Sequence, residues 1–244
     1  RIAPTPSGFL HLGNILSFSV TAYLAEISGA DILLRIDDAD APRVRAEYVQ
    51  DIFETLRYLG IPWQEGPRDY EDYRRHYTQA LRVDRYQAAL GTLKARDAVY
   101  ACRCSRSSYR PDHACPALDI SLQEPGVSWR LFTHAESGTG ASSRGNRPAA
   151  ETVPETLKDF IVRKKDATAS YQLTSVVDDD YFGVDLVVRG ADLYDSTLAQ
   201  RYLSGVLDGN SCRLATCVHQ PLVKISPAGE KLSKASGATS VRYL

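Results

Sequence analysis

The first sixty residues constrain the fold more than any other part of the chain. "RIAPTPSG" sets the turn formers Pro4, Pro6 and Gly8 just after a short strand end at Arg1–Ala3, so the chain must bend sharply there. Gly13 permits close backbone approach, and a mostly apolar helix is predicted from about Asn14 to Ser28, stopped by Gly29. "DILLRIDDAD" reads as a second strand with an acidic end. A helix over Arg45–Leu59 follows, with Val49, Ile52, Phe53, Leu56 and Leu59 at helical spacing. This βαβα order implies parallel pairing and opens a dinucleotide-type half-sheet.

A helix that starts beyond a glycine-bearing turn presents free N–H groups and a positive dipole end, which suits phosphate. His11 can donate hydrogen bonds to phosphoryl oxygens, and Asn14 at the helix mouth can cap the helix or touch a nucleotide. An ordinary strand–turn–helix with a surface histidine fits these residues equally well. The far end of the chain changes that balance. Lys231 and Lys234 flank Ser233 in "GEKLSKASG", which reads as a mobile loop whose ammonium groups can neutralise a triphosphate and the pyrophosphate leaving it. Such a site works by positioning and electrostatics, with Mg²⁺ bridging the phosphates.

The chain's 244 residues suffice for one large domain, or one domain with an insertion. With 29 basic and 30 acidic residues the net charge is −1, so a nucleic-acid partner must meet a local basic patch. No apolar run is long enough to span a bilayer and no signal peptide is visible, so a cytoplasmic protein is expected. Three of the five cysteines cluster as Cys102, Cys104 and Cys115, which in a reducing compartment favours a metal over disulfides.

Between these landmarks, Tyr70 to about Asp97 reads as one or two charged amphipathic helices. The cysteine-bearing "VYACRCSRSSYRPDHACP" breaks the pattern, and the polar, glycine-rich stretch at 134–151 reads as a flexible loop. Strands are expected at "DFIVRKK", "SYQLTSVVDD" and "GVDLVVRG", a turn at Asp178–Asp180, a helix over Leu198–Leu207, and a last strand in "ATCVHQPLVKI". The division expected is 1–97 and 159–244 as two halves of one sheet domain, with 98–158 inserted between them.

The H-x-G-N and K-L-S-K pair resembles the two ATP-binding motifs of class I aminoacyl-tRNA synthetases. "RIAPTPSGFLHLGN", "LLRIDDADAPR", "LGIPWQEGP" and "DLVVRGADLYDST" narrow the resemblance to the glutamate branch, almost end to end. It implies an α/β Rossmann-type catalytic domain with an inserted acceptor-binding or zinc-knuckle region. It also implies ATP-dependent activation of L-glutamate, with His11, Asn14, Lys231 and Lys234 catalytic and His11, Gly13, Asn14 and Lys234 on ATP. Arg1 and Arg189 stand where the family grips the substrate carboxylate, and Tyr171 matches its substrate-binding tyrosine. Pro4, Thr5 and Ser7 line the same turn, and Ala3, Pro4 and Thr5 are taken with the arginines as glutamate-binding. Asp37 occupies the slot where glutamyl enzymes commonly carry Glu for the ammonium, one methylene shorter. The plainer roles stay open: an ion pair of Arg189 with Asp192 or Asp195, core packing for Tyr171, a solvated strand end for Asp37, Asp38 and Asp40.

The sequence ends ten residues past Lys234, where full glutamyl-tRNA synthetases continue into a helical anticodon-binding region. "RGADLYDST" also looks more like the short paralogues, the glutamyl-queuosine tRNA(Asp) synthetases, than like the "RGEDH" style of the full enzymes. The expectation is a monomeric catalytic core without an anticodon-binding domain, placing glutamate on the queuosine base in the anticodon loop of tRNA(Asp). The alternatives are a glutamyl-tRNA synthetase core charging the 3′ end of tRNA(Glu), and a non-catalytic tRNA- or nucleotide-binding relic. A relic has no need for His11, Lys234, Arg1 and Arg189 together. The paralogues often hold zinc by C-x-C followed by a Tyr and a Cys. Cys102, Cys104 and Cys115 match, Pro111 stands where the Tyr is expected, and His113 or Tyr109 is left as fourth ligand. Arg74, Arg75, Arg82 and Arg85, and separately Arg163, Lys164 and Lys165, are candidate phosphate contacts for RNA or simply solvated faces.

Overall fold

The computed structural model describes residues 1–105, 108–110, 113–133, 153–207 and 209–222. The helices are α1 (Leu12–Ser28), α2 (Ala46–Tyr58), α3 (Tyr70–Asp72), α4 (Val83–Ala95), α5 (Tyr171–Tyr181) and α6 (Tyr194–Leu207). The strands are β1 (Val99–Cys102), β2 (Ser128–Leu131), β3 (Ile161–Arg163), β4 (Leu186–Gly190) and β5 (Thr216–Gln220). Lys231 and Lys234, and the glycine-rich stretch at 134–151, lie outside the described residues. The contacts divide the chain into two units. Unit 1 takes Arg1–Arg82, Leu186–Leu193 and, of the described residues, 216–222; unit 2 takes Val83–Asp185 and Tyr194–Ala215.

Unit 1 is built on parallel pairing. Ile2 bridges Leu34, Leu33 bridges Glu65, and β4 pairs with β5 from Leu186↔Thr216 to Gly190↔Gln220. A main-chain bond from Arg1 N to Leu186 O, 3.0 Å long, sets the first segment beside β4. The order across the unit is therefore Glu65, Leu33–Leu34, Ile2, β4, β5. Gly66 permits the outermost pairing: at φ +98, a Cβ there would lie 2.0 Å from Leu34 O. Ile2, Leu34 and Ile36 pack on Phe18 and Ala25 of α1 and on Val49, Ile52, Phe53 and Leu56 of α2. Each of the Val, Ile, Leu and Phe side chains among them, fully buried, is worth about 1.5–3 kcal/mol.

The stretch after Tyr70 is not one smooth helix. A π turn at Tyr73–Tyr77 and a 3-10 turn at Gln79–Arg82 separate α3 from α4. The Tyr73 hydroxyl donates to Asp38 Oδ2 at 2.6 Å, Gln79 N donates to Asp38 Oδ1 at 2.8 Å, and Ala39 N donates to Gln79 Oε1 at 2.6 Å. These bonds draw the segment onto the acidic strand end, overriding the regular helical ladder.

Unit 2 carries an antiparallel sheet in the order β1-β2-β3, with Val99 opposite Leu131 and Cys102 opposite Ser128. Its core joins Leu90 and Leu93 of α4, Leu173 and Val176 of α5, and Ala199 and Leu203 of α6 to Val99, Leu131 and Val162. "SYQLTSVVDD" is helical, correcting the strand expected there. Ser170 caps it by accepting from Leu173 N at 3.4 Å, and Leu173 and Val176 are buried one turn apart. Nor are Asp178–Asp180 a turn: they close α5. Asp178 is buried and accepts from the Tyr86 hydroxyl at 2.8 Å, while Asp180 accepts from Ser211 N at 2.6 Å. α6 begins at Tyr194, four residues earlier than expected.

Candidate active site

The turn before α1 is shaped by its own side chains. His11 is the N-cap, and its Nδ1 accepts from Gly13 N at 3.1 Å while His11 N donates to Asn14 Oδ1 at 3.1 Å. An Nδ1 that accepts puts the proton of the neutral ring on Nε2, which makes Nε2 the atom able to donate to an anion. Gly13 leaves room for this: a Cβ there would crowd His11 Cε1 at 3.0 Å and Nδ1 at 3.1 Å. Upstream, Leu10 N donates to buried Asp51 Oδ2 of α2 at 2.9 Å, and the Phe9 and Tyr48 rings meet edge to face at 5.0 Å. Asp51 thus ties the turn to α2, a role that its helical spacing with Val49 and Ile52 conceals in the sequence.

Paired residues of parallel strands point to the same face. Arg35 N donates to Ile2 O and Asp37 N to Pro4 O, which sets Ala3 abreast of Arg35 and Thr5 abreast of Asp37. Arg1, Ala3, Arg35 and Asp37 therefore share the face opposite the apolar Ile2, Leu34 and Ile36. The Arg1–Leu186 bond brings the terminus beside β4, where Arg189 and its β5 partner His219 share one face. Arg189 is buried, Arg1 half-buried. Arg35 holds Asp37 with both arms of its guanidinium, at 2.7 and 3.1 Å, and both are buried. Pro4 is buried and Thr5 exposed. Asp38 is no solvated strand end: burial, outweighing its bonds from Tyr73 and Gln79 and the nearby Arg82, pushes its carboxyl above the usual range.

Tyr171 lies in unit 2, as the first residue of α5, and is 42% exposed rather than core. The basic stretch Arg74–Arg85 is not one face. Arg74 and Arg75 are exposed, but Arg82 is buried and donates to Tyr77 O at 3.0 Å. Arg85, in unit 2, stacks on Tyr181 with its carbon 3.9 Å from the ring centroid. Arg163 lies over Trp129 at 5.0 Å, Lys164 pairs with Asp166 at 3.7 Å, and Lys165 donates to Arg103 O at 2.7 Å.

In unit 2, Cys102, Cys104, His113 and Cys115 bring their ligand atoms within 4.8 Å of one another. Cys104 Sγ is 3.7 Å from Cys115 Sγ and 3.9 Å from His113 Nδ1. A tetrahedral zinc with sulfur bonds of about 2.3 Å has sulfur–sulfur edges of about 3.8 Å, so the donor set and its spacing fit Zn²⁺. Burial, with the neighbouring sulfurs adding to it, raises the Cys104 thiol to about 11. A cation at the cluster offsets that cost by taking the thiolates. Tyr109 is not the fourth ligand here: its hydroxyl donates to Lys158 O at 2.8 Å, while its ring packs 4.9 Å from that of His113. Cys212 is buried and Cys217 half-buried on β5, and neither belongs to the cluster.

Comparison with known proteins identifies the family of the chain. Residues 1–112 match the model of the catalytic domain of class I tRNA synthetases (E and Q). A glutamyl-Q tRNA(Asp) synthetase of Nitratidesulfovibrio vulgaris is 34% identical across all of this chain and 80% of its own length. One of Dechloromonas aromatica is 35% identical over 99% of this chain and 79% of its own. A glutamate–tRNA ligase 2 of Acidiphilium cryptum is 34% identical, but only 56% of it is spanned. Among solved structures, a glutamate-tRNA synthetase of Elizabethkingia anophelis shares the fold with a TM-score of 0.74 at 22% identity, over 97% of this chain and 52% of that one. The chain is a ligase of the class I aminoacyl-tRNA synthetase type and belongs to the glutamyl-Q tRNA(Asp) synthetase family.

Proposed function

We propose that the chain activates L-glutamate with ATP as glutamyl-adenylate and transfers the glutamyl group to the queuosine base in the anticodon loop of tRNA(Asp). The observation that supports this most directly is the sheet face carrying Arg1, Ala3, Arg35 and Asp37, opposite the apolar Ile2, Leu34 and Ile36, with the first segment tied by Arg1 to the strand that carries buried Arg189. In this reading Arg1 and Arg189 grip the side-chain carboxylate, where charge-assisted bonds are about twice as strong as neutral ones. Asp37, oriented by Arg35, offers its remaining lone pairs to the α-ammonium, and Pro4 and Thr5 shape the turn beside it. The triphosphate lies at the mouth of α1 against Gly13 and Asn14, with His11 Nε2–H donating to a phosphoryl oxygen.

An α-carboxylate oxygen of glutamate attacks the α-phosphorus, and the bond to pyrophosphate breaks with its electron pair leaving on pyrophosphate. Lys231 and Lys234 neutralise that leaving charge, sharing the task with Mg²⁺ carried in on ATP. A hydroxyl of the modified base then attacks the acyl carbon, its proton is released, and AMP departs. Cys102, Cys104, His113 and Cys115 would hold a structural zinc and so join the Cys102–Cys104 end of β1 to His113 and Cys115; in this reading 98–158 is inserted between halves 1–97 and 159–244. We place the reaction in the cytoplasm and the protein in a monomeric state.

The Acidiphilium cryptum relative supports a second reading, a glutamyl-tRNA synthetase core charging the 3′ end of tRNA(Glu). Labelled glutamate offered with queuosine-containing tRNA(Asp), queuosine-free tRNA(Asp) and tRNA(Glu) separates the two. The first reading expects label only on the modified tRNA(Asp), in the nuclease fragment that bears the anticodon. Label at the 3′ end of tRNA(Glu) overturns it.

A further inference from the structure

Beside the cysteine cluster lies a buried chain of polar groups that the ligand set alone does not explain. His113 Nε2 is 3.1 Å from the Tyr100 hydroxyl, and that hydroxyl is 3.1 Å from Asp159 Oδ2. A hydroxyl has one proton. Since the carboxylate can only accept, Tyr100 gives its proton to Asp159 and must accept from Nε2–H. The ring is thereby held as the Nε2–H tautomer, with Nδ1 unprotonated and 3.9 Å from Cys104 Sγ; its one lone pair accepts from Cys115 N at 3.3 Å, a bond that a cation at the cluster would replace.

Asp159 is itself built in with care. Its backbone is left-handed at φ 46, unusual for a residue with a Cβ, and its side chain is buried. Oδ1 accepts from Thr133 N and Thr133 Oγ1, both at 2.9 Å, and Asp159 O accepts from Arg130 at 2.9 Å. The carboxylate is thus fixed by Thr133, and it fixes Tyr100 in turn.

We infer that Tyr100 and Asp159 are positioning residues for the metal centre, a carboxylate–phenol–imidazole relay that presents His113 Nδ1 as the fourth ligand. This rests on the reading of the cluster as a zinc site. It also accounts for a ligand set without a liganding tyrosine: Tyr100, two residues before Cys102, serves the imidazole instead of the metal.

Zinc content and affinity, by competition with a chromophoric chelator, test the relay together with the His113 tautomer by long-range ¹H–¹⁵N correlation. Wild type is expected to hold one zinc per chain, with Nδ1 metal-bound and Nε2 protonated. Tyr100→Phe removes the acceptor for Nε2–H, and affinity should fall about 10- to 100-fold, the range for lost outer partners of metal-binding histidines. Asp159→Asn keeps a residue tolerant of the left-handed backbone but can donate to the Tyr100 hydroxyl, turning its proton towards the ring; the same direction of loss and a mixed tautomer are expected. Wild type with no zinc would overturn the metal reading and the relay together. Zinc held by both variants as tightly as by wild type, or a protonated Nδ1 in wild type, would overturn the relay alone. The wild-type tautomer decides even if Tyr100→Phe does not fold.

Discussion

Gly13→Ala separates the fold of the α1 turn from its chemistry. Gly13 is the second residue of a seventeen-residue helix, so an alanine gains up to about 1 kcal/mol of helix propensity. The added methyl, however, lies 3.0 Å from His11 Cε1, against 3.4 Å for the start of ordinary contact, so the ring must yield by about 0.4 Å (3.4 − 3.0). That motion stretches the 3.1 Å bond from Gly13 N to Nδ1, the interaction that keeps the proton on Nε2. Loss of one donor aimed at transition-state charge costs about 10²- to 10³-fold in rate, and partial displacement should cost about 10- to 100-fold. Glutamate-dependent ATP–pyrophosphate exchange reads the chemistry, and thermal denaturation reads the fold. Exchange should fall by that factor while the midpoint moves by no more than about 4 °C, since 1 kcal/mol shifts a chain of this size by about 2–4 °C. Gly29→Ala is the converse control: at φ 64 with open space around it, the C-cap should lose about 1 kcal/mol and leave exchange unchanged. Full exchange in folded Gly13→Ala would refute the role given to the His11 ring.

Other outcomes follow from the same geometry. Asp51→Ala strands the buried Leu10 N–H and should destabilise the protein by about 1–3 kcal/mol while raising the ATP requirement; Asp51→Asn, which still accepts, should restore most of both. Arg35→Ala leaves Asp37 buried and uncompensated, so urea unfolding should show a loss of about 3–5 kcal/mol, largely recovered in Arg35→Ala/Asp37→Ala. Equal losses in the single and double variants would mean that the pair itself contributes little. The raised Asp38 carboxyl keeps its proton in the folded state where the unfolded chain has lost it. Its contribution is therefore complete below the unfolded value of 3.8 and is lost as pH rises through the higher folded one. Asp38→Asn should flatten that part of the stability–pH curve, and an unchanged slope would contradict the assignment.

What the sequence discloses here is what short-range chemistry dictates. The α1 turn could be read because its residues act on one another within four positions, His11 on Gly13 and Asn14 on His11. The parallel pairing followed from the order of elements. α5 was misread because Leu173, Val176 and Val177 suit a strand as well as a helix; the signal that favoured the helix was Ser170 as N-cap with Leu173 and Val176 one turn apart. Arg82 looked like a surface cation because nothing in its neighbourhood shows that the chain folds back onto its guanidinium. Asp38 with Gln79, Leu10 with Asp51 and Tyr100 with Asp159 are 41, 41 and 59 residues apart, and no local pattern encodes such pairs. His113 was one of two candidate ligands until the Tyr109 hydroxyl proved to be engaged with Lys158 O.

The central claim is that Arg189, with Arg1, recognises an acidic amino acid next to the nucleotide. Exchange of labelled pyrophosphate into ATP, titrated separately with glutamate and with ATP in wild type and Arg189→Ala and without any tRNA, tests it most directly. We expect exchange by wild type with glutamate, and a rise of at least about tenfold in the glutamate requirement of the variant, the loss of one charge-assisted contact, with the ATP requirement unmoved. Equal rises in both requirements, or a wild-type protein that exchanges equally well with glutamine, would contradict it.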